Sequence, residues 1–338
     1  MKSKTRSSCA ICVDTGTTTS RVWVVDGDRI LARTRAQVGV RDAAQEGSSD
    51  RLRKELRRLI AQAQSEAAPA AATHLIAAGM ITSSLGLAEV PHVAAPAGAD
   101  ELAGGIRRCD FPDVTDLPVL MVPGVRCGPA RCTAADVGAC DVMRGEETLC
   151  VGLHALGYFQ KGGVLLNLGS HWKAIQVDTS GKVIASFTSL SGELIHSAQT
   201  YTILAGSVPS GLPDSLDPAW LEAGMEEERR SGVSRALFCV RLLQQTSSAS
   251  PEERLSFMFG AFIAADLDVL LKKEAIARGY PVVVAGTGPL RLAWRAALAG
   301  RSIHATVLEE SELENGLLFG YRCVSTQYFD LNPQKHSL

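Results

Sequence analysis

The chain has 338 residues, of which 46% are hydrophobic and 21% charged, and its formal net charge is −2. This length allows one or two domains with large cores, and the small net charge gives no reason to expect a nucleic acid or an acidic membrane as partner. No apolar stretch approaches the length of a membrane span, and the apolar run near the N-terminus is too short for a signal peptide. We therefore expect a cytoplasmic protein.

Nine cysteines are spread along the chain. In a cytoplasmic chain of this size we expect thiols rather than disulfides. Cys127, Cys132 and Cys140 lie close together in sequence, but their spacings of five and eight residues match no common zinc pattern. The cysteines therefore predict neither a zinc site nor a disulfide framework.

The first predicted elements are three strands, joined by a polar loop and a tight turn. Residues 11–13 are a short apolar run, residues 21–25 are again strand-forming, and Asp26-Gly27 is a typical hairpin turn before a third strand. The loop Asp14-Thr15-Gly16-Thr17-Thr18-Thr19 is longer and more polar than a plain hairpin needs. By itself, this loop is also compatible with a simple polar turn.

The rest of the first half predicts a helix at residues 51–64, which has an apolar face, and a strand at residues 74–78 that ends in Gly79. Residues 141–157 are predicted to form a connecting helix, and Asp141 is its expected N-cap.

The opening pattern returns in the second half. A strand at residues 164–168 meets the small polar loop Gly169-Ser170-His171, and strands follow at residues 173–177 and 183–187. Gly169 lies 153 residues after Gly16, close to half the chain. Self-similarity at this distance indicates duplicated domains rather than a short repeat.

The remaining elements complete the same order of strands and helices. A capping box at Ser250 and Glu253 opens a long helix that is expected to run to about Arg278 and to stop at Gly279. The other elements are strands at residues 281–285 and 303–308, a helix at residues 290–298, and a final helix capped by Ser311 and Glu314. Each half therefore predicts a mixed sheet covered by helices.

The loop residues suggest an anion site. Gly, Thr and Ser let backbone N–H groups approach phosphate oxygens, and two similar loops predict a cleft in which both face one ligand. Asp14 would repel phosphate but can hold Mg²⁺, often through water, and the ion then bridges to the phosphates. Gly286-Thr287-Gly288 is a third loop at a strand end, where open sheets bind ligands.

The order of these motifs resembles the actin-like ATPase superfamily and, more narrowly, the 2-dehydro-3-deoxygalactonokinase family. DVMRGEE and GSHxK are specific to the narrower family, whereas the first loop marks only the superfamily. The matching pieces span nearly the whole chain: DTGTTTSRVWVVDG from 14, AAGMITSS from 77, VPGV from 122, DVMRGEET from 141, LGSHWKA from 168, SGEL from 191 and VVVAGTGPLRLAWRAALAG from 282.

The resemblance implies two similar ribonuclease H-like α/β domains with mixed sheets and a cleft between them. It implies an N-terminal sugar-acid and phosphate domain at residues 1–140, a crossing helix at 141–157 and a nucleotide-binding domain at 158–338, whose final helix packs back towards the first domain. ATP is then the co-substrate, Mg²⁺ is the cofactor and Asp14 serves the metal. The implied phosphate ligands are Thr15, Gly16, Thr17, Thr18, Gly169, Ser170 and His171, and the implied adenosine ligands are Gly286, Thr287 and Gly288.

Phosphoryl transfer to a hydroxyl also needs a carboxylate that accepts the proton. In related kinases this base lies at the start of the crossing helix, which selects the segment but not the residue. We take Asp141 as the first candidate and Glu146 as the second, although capping alone would explain Asp141 and a solvated helix face would explain Glu146. The resemblance further assigns Arg144, Ser83, Ser84 and Glu193 to the substrate, and the guanidinium group of Arg144 suits a carboxylate.

The chain departs from the family in its substrate motifs. Thr82-Ser83-Ser84-Leu85-Gly86-Leu87 stands where the family has a run closer to Gly-Ser-Arg-Gln-Gly-Trp, so an arginine and an aromatic residue are lost. Thr15, Trp172 and Ala174 are further departures, and all of them bear on substrate identity more than on ATP binding.

The predicted function is ATP-dependent phosphorylation of the terminal hydroxyl of 2-dehydro-3-deoxy-galactonate in sugar-acid catabolism. The alternatives are a kinase for another sugar or sugar acid, a non-catalytic sensor, and an exopolyphosphatase-type phosphatase on the same fold. The expected partners are ATP and the sugar acid, with a homodimer as the assembly considered and neither nucleic acid nor membrane as partner.

Overall fold

The computed structural model describes residues 9–276, 279–286 and 288–335. The chain forms two compact units. The first takes residues up to Tyr158, Ser180–Ile184 and residues from Glu314 onward, and the second takes Phe159–Thr179 and Ala185–Leu313. Among the described helices, none has both the length and the apolar character needed to cross a membrane.

The first unit contains a six-stranded mixed sheet and a small three-stranded sheet. The strand orders are β3-β2-β1-β4-β7-β6 and β5-β8-β9. β2 is antiparallel to both β1 and β3, whereas β4 runs parallel to both β1 and β7. The strands are β1 (Cys9–Thr15), β2 (Ser20–Asp26), β3 (Arg29–Ala36), β4 (His74–Gly79), β5 (Val93–Ala94), β6 (Arg107–Phe111), β7 (Thr115–Met121), β8 (Val125–Cys127) and β9 (Asp141–Met143).

Four α-helices lie between or directly after these strands. They are α1 (Val40–Glu46), α2 (Asp50–Glu66), α3 (Ala99–Gly105) and α4 (Glu146–Ala155). The predicted apolar face of α2 is confirmed, because Leu52, Leu56, Leu59, Ile60 and Ala63 are buried in the same core as β1 and β4.

The second unit repeats the mixed sheet. Its strand order is β12-β11-β10-β13-β14, in which β10 is antiparallel to β11 and parallel to β13. The strands are β10 (Gly163–Leu168), β11 (Trp172–Val177), β12 (Val183–Ser189), β13 (Val282–Gly286) and β14 (Ala305–Val307). The helices after α4 are α5 (Ser191–Tyr201), α6 (Pro218–Ser231), α7 (Val233–Thr246), α8 (Pro251–Lys272), α9 (Leu290–Ala299) and α10 (Glu310–Leu331). Short 3₁₀ helices lie at Met80–Thr82, Val137–Ala139, Ile203–Gly206 and Pro333–Lys335.

From Glu314 onward, α10 packs on the first sheet. The hydroxyl of the fully buried Tyr321 donates to the carbonyl of Val13 at 2.6 Å. The indole N–H of Trp23 donates to Glu314 at 2.6 Å, and Arg33 also binds this carboxylate. The prediction that Glu314 completes a capping box with Ser311 is therefore wrong, because the helix already begins at Glu310, so Ser311 lies inside it, and the carboxylate of Glu314 binds Trp23 and Arg33.

Two predicted helix boundaries are also corrected. Helix α8 ends at Lys272 rather than near Arg278, because the chain turns at Glu274, which has a positive φ of 53°. The predicted stop at Gly279 therefore does not end this helix. The predicted connecting helix at 141–157 begins only at Glu146, after strand β9.

The cysteine prediction is corrected as well. Cys132 and Cys140 form a disulfide in the exposed segment between β8 and β9, and their Cα atoms lie 7.0 Å apart. Asp136 accepts hydrogen bonds from the backbone N–H and the hydroxyl of Thr133. This turn folds the segment back on itself, so two thiols that are eight residues apart meet.

Candidate active site

The first loop joins β1 to β2 and presents Thr17 and Thr18 rather than Thr15. The N–H of Gly16 donates to the carbonyl of Thr19 at 2.9 Å and closes the loop. Thr15 is fully buried, and its hydroxyl accepts a hydrogen bond from the hydroxyl of Ser20 at 3.2 Å. The Thr15 side chain therefore joins the two strands, while Thr18 is exposed and Thr17 is half-buried.

The start of α1 supports this loop from behind. The N–H groups of Val40 and Arg41 donate to the carbonyls of Gly16 and Thr17 at 3.2 and 2.9 Å. A Cβ atom on Gly39 would lie 2.5 Å from the backbone of Thr17. Only glycine fits at this point of contact, because the opposing atoms belong to the backbone.

Asp14 lies at the end of β1, where several backbone segments meet. Its Oδ2 is 3.6 Å from Nη1 of Arg21, and a Cβ on Gly79 would lie 3.1 Å from its Oδ1. Burial raises the pKa of Asp14 to about 6; Arg21 acts to lower this pKa, and the neighbouring carboxylate of Glu146 acts to raise it. A nearby cation would stabilise the ionised form of this carboxylate, because opposite charges attract.

The start of α4 brings Glu146 towards Asp14. Gly145 has a φ of 108°, which favours glycine, and a Cβ on it would lie 3.2 Å from the Cα of Gly79. Its N–H donates to both carboxylate oxygens of Glu147 at 2.7 and 2.8 Å. Glu147 is therefore a buried cap of the helix start, and Glu146 is the half-buried carboxylate whose charge acts on Asp14.

Asp141 does not cap this helix, so that prediction is wrong. It is the first residue of β9, paired with Cys127 of β8, and the residue before α4 is Gly145. The backbone of Gly145, in a conformation that other residues rarely adopt, separates the strand from the helix. The charge of Glu146, at the start of α4, thus acts on Asp14, whereas Asp141 lies at the start of β9.

Arg144 is held firmly beside the small sheet. Its Nη1 donates to the hydroxyl of Thr82 at 3.0 Å, and its Nη2 donates to the carbonyl of Val90 at 2.8 Å and lies 3.4 Å from Nδ1 of His92. Burial lowers the pKa of its guanidinium group. His92 is a neighbour that the sequence patterns did not identify.

The two predicted substrate serines differ in exposure. Ser83 is buried, and its hydroxyl donates to the carbonyl of Met80 at 2.7 Å, which stabilises the turn after β4. Ser84 is exposed. Of the pair, only Ser84 presents its hydroxyl to solvent.

The second loop joins β10 to β11 and is supported by α5. The N–H of Glu193 donates to the carbonyl of Ser170 at 2.9 Å, and a Cβ on Gly192 would lie 2.4 Å from the carbonyl oxygen of Gly169. Nε2 of His171 lies 3.5 Å from Oε1 of Glu193. Glu193, which was predicted to bind the substrate, therefore lies in the second unit against the predicted phosphate loop.

The third loop follows β13. Gly286 pairs with Leu168 and has a φ of 156°, and a Cβ on it would lie 2.9 Å from the Cβ of Leu168. Gly288 is exposed and has a φ of 61°. Thr287 lies outside the described residues. Gly286 therefore lies directly against the strand that leads into the second loop.

A magnesium ion fits the chemistry of the first site. Among the residues that the structure describes, no three His, Cys, Asp or Glu side chains form a ready metal cage. Mg²⁺ usually keeps several waters and takes one or two carboxylates together with substrate phosphates. Asp14, at the end of β1 beside the loop, is the carboxylate that would serve it.

Comparison with known proteins identifies the family of the chain. A profile of the 2-keto-3-deoxy-galactonokinase family matches residues 14–319. The 2-dehydro-3-deoxygalactonokinase of Escherichia coli K12 is 25% identical over 279 residues, covering 82% of this chain and 85% of the relative. The solved structure of a provisional 2-dehydro-3-deoxygalactonokinase from Sinorhizobium meliloti has a TM-score of 0.75 at 24% identity and covers 96% of this chain and 99% of that one.

A more distant solved structure shares the fold. It is the activator of the 2-hydroxyisocaproyl-CoA dehydratase from Clostridium difficile with bound ADPNP, with a TM-score of 0.53 and 12% identity over 98% of each chain. The predicted fold class of two similar α/β units with mixed sheets is confirmed, and the family match identifies a sugar-acid kinase. The chain belongs to the 2-keto-3-deoxy-galactonokinase family, whose substrates are ATP and a sugar acid.

Proposed function

We propose that this chain transfers the γ-phosphoryl group of ATP to the terminal hydroxyl of 2-dehydro-3-deoxy-galactonate, with Mg²⁺ as cofactor. The observation that carries the proposal is the closeness of the start of α4 to Asp14, in a chain that belongs to a sugar-acid kinase family: a Cβ on Gly145 would lie 3.9 Å from Oδ1 of Asp14, and the charge of Glu146 acts on the pKa of Asp14. Phosphoryl transfer needs charge neutralisation, positioning and a proton acceptor, and two neighbouring carboxylates with different surroundings can divide these tasks.

Asp14 is the residue that holds the metal. It is fixed at the end of β1, and its 3.6 Å contact with Arg21 limits its orientation. When bound, Mg²⁺ neutralises charge on the phosphates. The role of Asp14 is to hold this charge in one place, directly or through water.

Glu146 is the general base in this proposal. It is the first residue of α4, where the helix dipole favours a negative charge. Glu147 already accepts hydrogen bonds from the N–H of Gly145, and Asp141 lies in β9 before α4 begins. Asp141 stays as the alternative base.

The loops bind the nucleotide. Gly16, Thr17 and Thr18 offer backbone N–H groups and hydroxyls to the phosphates, and Thr15 supports them from inside the sheet. Ser170 and His171, with Gly169, play the same role in the second unit. Gly286 and Gly288 line the adenosine site; Thr287, assigned with them, lies outside the described residues.

Arg144 recognises the carboxylate of the sugar acid. A guanidinium group has five N–H donors, and three contacts are described for Arg144, so donors remain for a carboxylate. The same three contacts fix its position before the substrate arrives. Ser84, which is exposed, is the serine that can contact the sugar acid directly, and Ser83 shapes the turn beside it.

A panel of sugar acids tests the function. Each acid is mixed with the purified chain, ATP and Mg²⁺, and ADP release is measured. Release with 2-dehydro-3-deoxy-galactonate and little release with other acids supports the proposal. A faster reaction with a different acid would show that this other acid is the substrate. ATP hydrolysis without any acid acceptor would show that the chain is not a sugar-acid kinase.

Compartment and assembly complete the proposal. We place the enzyme in the cytoplasm, where ATP and soluble sugar acids occur together, and we expect a homodimer. Light scattering on the purified chain decides the assembly, because a dimer has twice the 35.9 kDa of one chain.

A further inference from the structure

A half-buried aspartate in the second unit is linked to the second loop through hydrogen bonds to two serines and the backbone at the start of α5. Asp266 lies in α8, and the hydroxyl of Ser189 donates to its Oδ2 at 2.5 Å. The hydroxyl of Ser191 also binds this carboxylate and lies 3.1 Å from that of Ser189. Burial raises the pKa of Asp266, and the two hydroxyls act to lower it.

The serines connect the aspartate to the start of α5. Ser191 is the first residue of the helix and is 4% exposed. The next two residues contact the loop, since Gly192 approaches the carbonyls of Gly169 and Ser170, and the N–H of Glu193 binds the carbonyl of Ser170. The path from Asp266 to the loop therefore has no gap and lies within one unit.

Helix α8 is a firm anchor for this path. It has 22 residues, begins with a proline and a capping box, and buries thirteen of its residues in the core of the second unit. A carboxylate fixed on such a helix can hold the start of α5 in one position. By contrast, the second loop itself has few side chains that could hold its shape.

We propose that Asp266 is a positioning residue for phosphate binding, which holds the start of α5 against the backbone of Gly169 and Ser170. The inference rests on the proposed role of the second loop in binding ATP. Asp266 does not touch the nucleotide. It acts through Ser189, Ser191 and Gly192, and its loss lets the loop move away from the shape that receives the phosphates.

Asp268 provides a matched control on the same helix. Its carboxylate binds Arg301 and lies 3.8 Å from Nε of Arg229, so it links different parts of the unit. Alanine is well tolerated inside helices, so Asp266→Ala and Asp268→Ala should both keep α8 intact. Asp266→Ala removes the contacts to the two serines, whereas Asp268→Ala removes the contacts to Arg301 and Arg229.

The test measures the Kd of a non-hydrolysable ATP analogue with Mg²⁺ by calorimetry, together with Tm and the KM for the sugar acid. Supporting residues of a site typically change its affinity or activity by about 10- to 100-fold, so we expect Asp266→Ala to weaken nucleotide binding by about tenfold. The KM for the sugar acid should stay unchanged, and Asp268→Ala should bind the nucleotide normally. Asp266→Asn, which keeps one acceptor oxygen, should lie between wild type and alanine.

His171→Ala separates this inference from the proposed function. If His171→Ala weakens nucleotide binding and Asp266→Ala does not, the positioning role is wrong and the loop assignment stands. If neither variant changes the Kd, the second loop does not bind the nucleotide and both proposals fall. If Asp266→Ala lowers Tm more than Asp268→Ala while the Kd is unchanged, Asp266 is only structural and the inference is overturned.

Discussion

The two loops share a scaffold but differ in charge. In the first unit Asp14 and Arg21 lie opposite each other on β1 and β2, next to the loop. At the corresponding positions of β10 and β11 the second unit has Asn167 and Lys173. The two units therefore share the same strand pairing, but the carboxylate of Asp14 in the first unit corresponds to the neutral Asn167 in the second. In the proposed function, both loops bind the phosphates, and we infer that the first loop also lies beside the groups that serve as metal ligand and base.

The shared part of the scaffold is a glycine behind each loop. Gly39 follows Gly16 by 23 residues, and Gly192 follows Gly169 by the same 23. Each comes within contact distance of the loop backbone at the start of a helix. The two loops therefore share a close approach of the helix backbone rather than the identity of their side chains.

The largest effect is expected at Asp14. Asp14→Asn keeps the size of the side chain but loses the charge that serves the metal, so kcat should fall by about 10³-fold, the upper range for the loss of one electrostatic group in a site. Asn167→Ala, at the matching position of the second unit, should reduce kcat far less. Steady-state rates at increasing Mg²⁺ check this, and near-normal turnover of Asp14→Asn at high Mg²⁺ would remove the difference between the two loops.

The next effect concerns acid stability of the first unit. β4 begins with the buried His74, whereas the matching strand β13 begins with Val282. Burial lowers the pKa of His74 from 6.5 to about 4, and its Nε2 lies 3.2 Å from the hydroxyl of Ser325 on α10. The folded state thus prefers neutral His74, so this contribution is fully present above pH 6.5 and is lost as the pH falls towards 4.

The loss should reach about 3 kcal/mol of unfolding free energy. Denaturant unfolding of wild type and His74→Gln between pH 7 and pH 4 measures it, and the variant should show a flatter pH dependence. If the unfolding free energy of both proteins changes equally with pH, His74 does not account for the acid sensitivity.

A smaller effect is expected at the two supporting glycines. Gly39→Ala and Gly192→Ala each place a methyl group against backbone atoms that cannot rotate away, which should cost about 1–3 kcal/mol. Gly104→Ala is the control, because a Cβ there meets no atom within 4 Å. Melting curves of the three variants decide the point. Similar Tm values for all three would mean that the close approach of helix and loop is not required.

The sequence predicted the strands and loops well, because they depend on local patterns. The local order of residues predicts two apolar strands, each followed by a polar loop, at 11–13 and 164–168. The structure confirms both as strand–loop units. The family assignment followed from the same motifs, and it is confirmed.

The missed features depend on distant contacts or on backbone conformation. Asp266 lies 97 residues after Gly169, and nothing local connects them. Periodicity extended the connecting helix back to Asp141, because it could not show that Gly145 adopts a positive φ. The carboxylate pair of Asp14 and Glu146 forms only when the ends of β1 and β4 and the start of α4 come together.

The most direct test of the account compares Glu146→Gln with Asp141→Asn. A general base contributes about 10²–10⁴ in rate, so Glu146→Gln should lose roughly that factor in kcat while binding the ATP analogue normally and melting like wild type. Asp141→Asn should remain active, because Asp141 lies on β9 rather than at the start of α4. The reverse result, with an inactive Asp141→Asn and an active Glu146→Gln, would contradict the pairing of Asp14 and Glu146 as the catalytic centre.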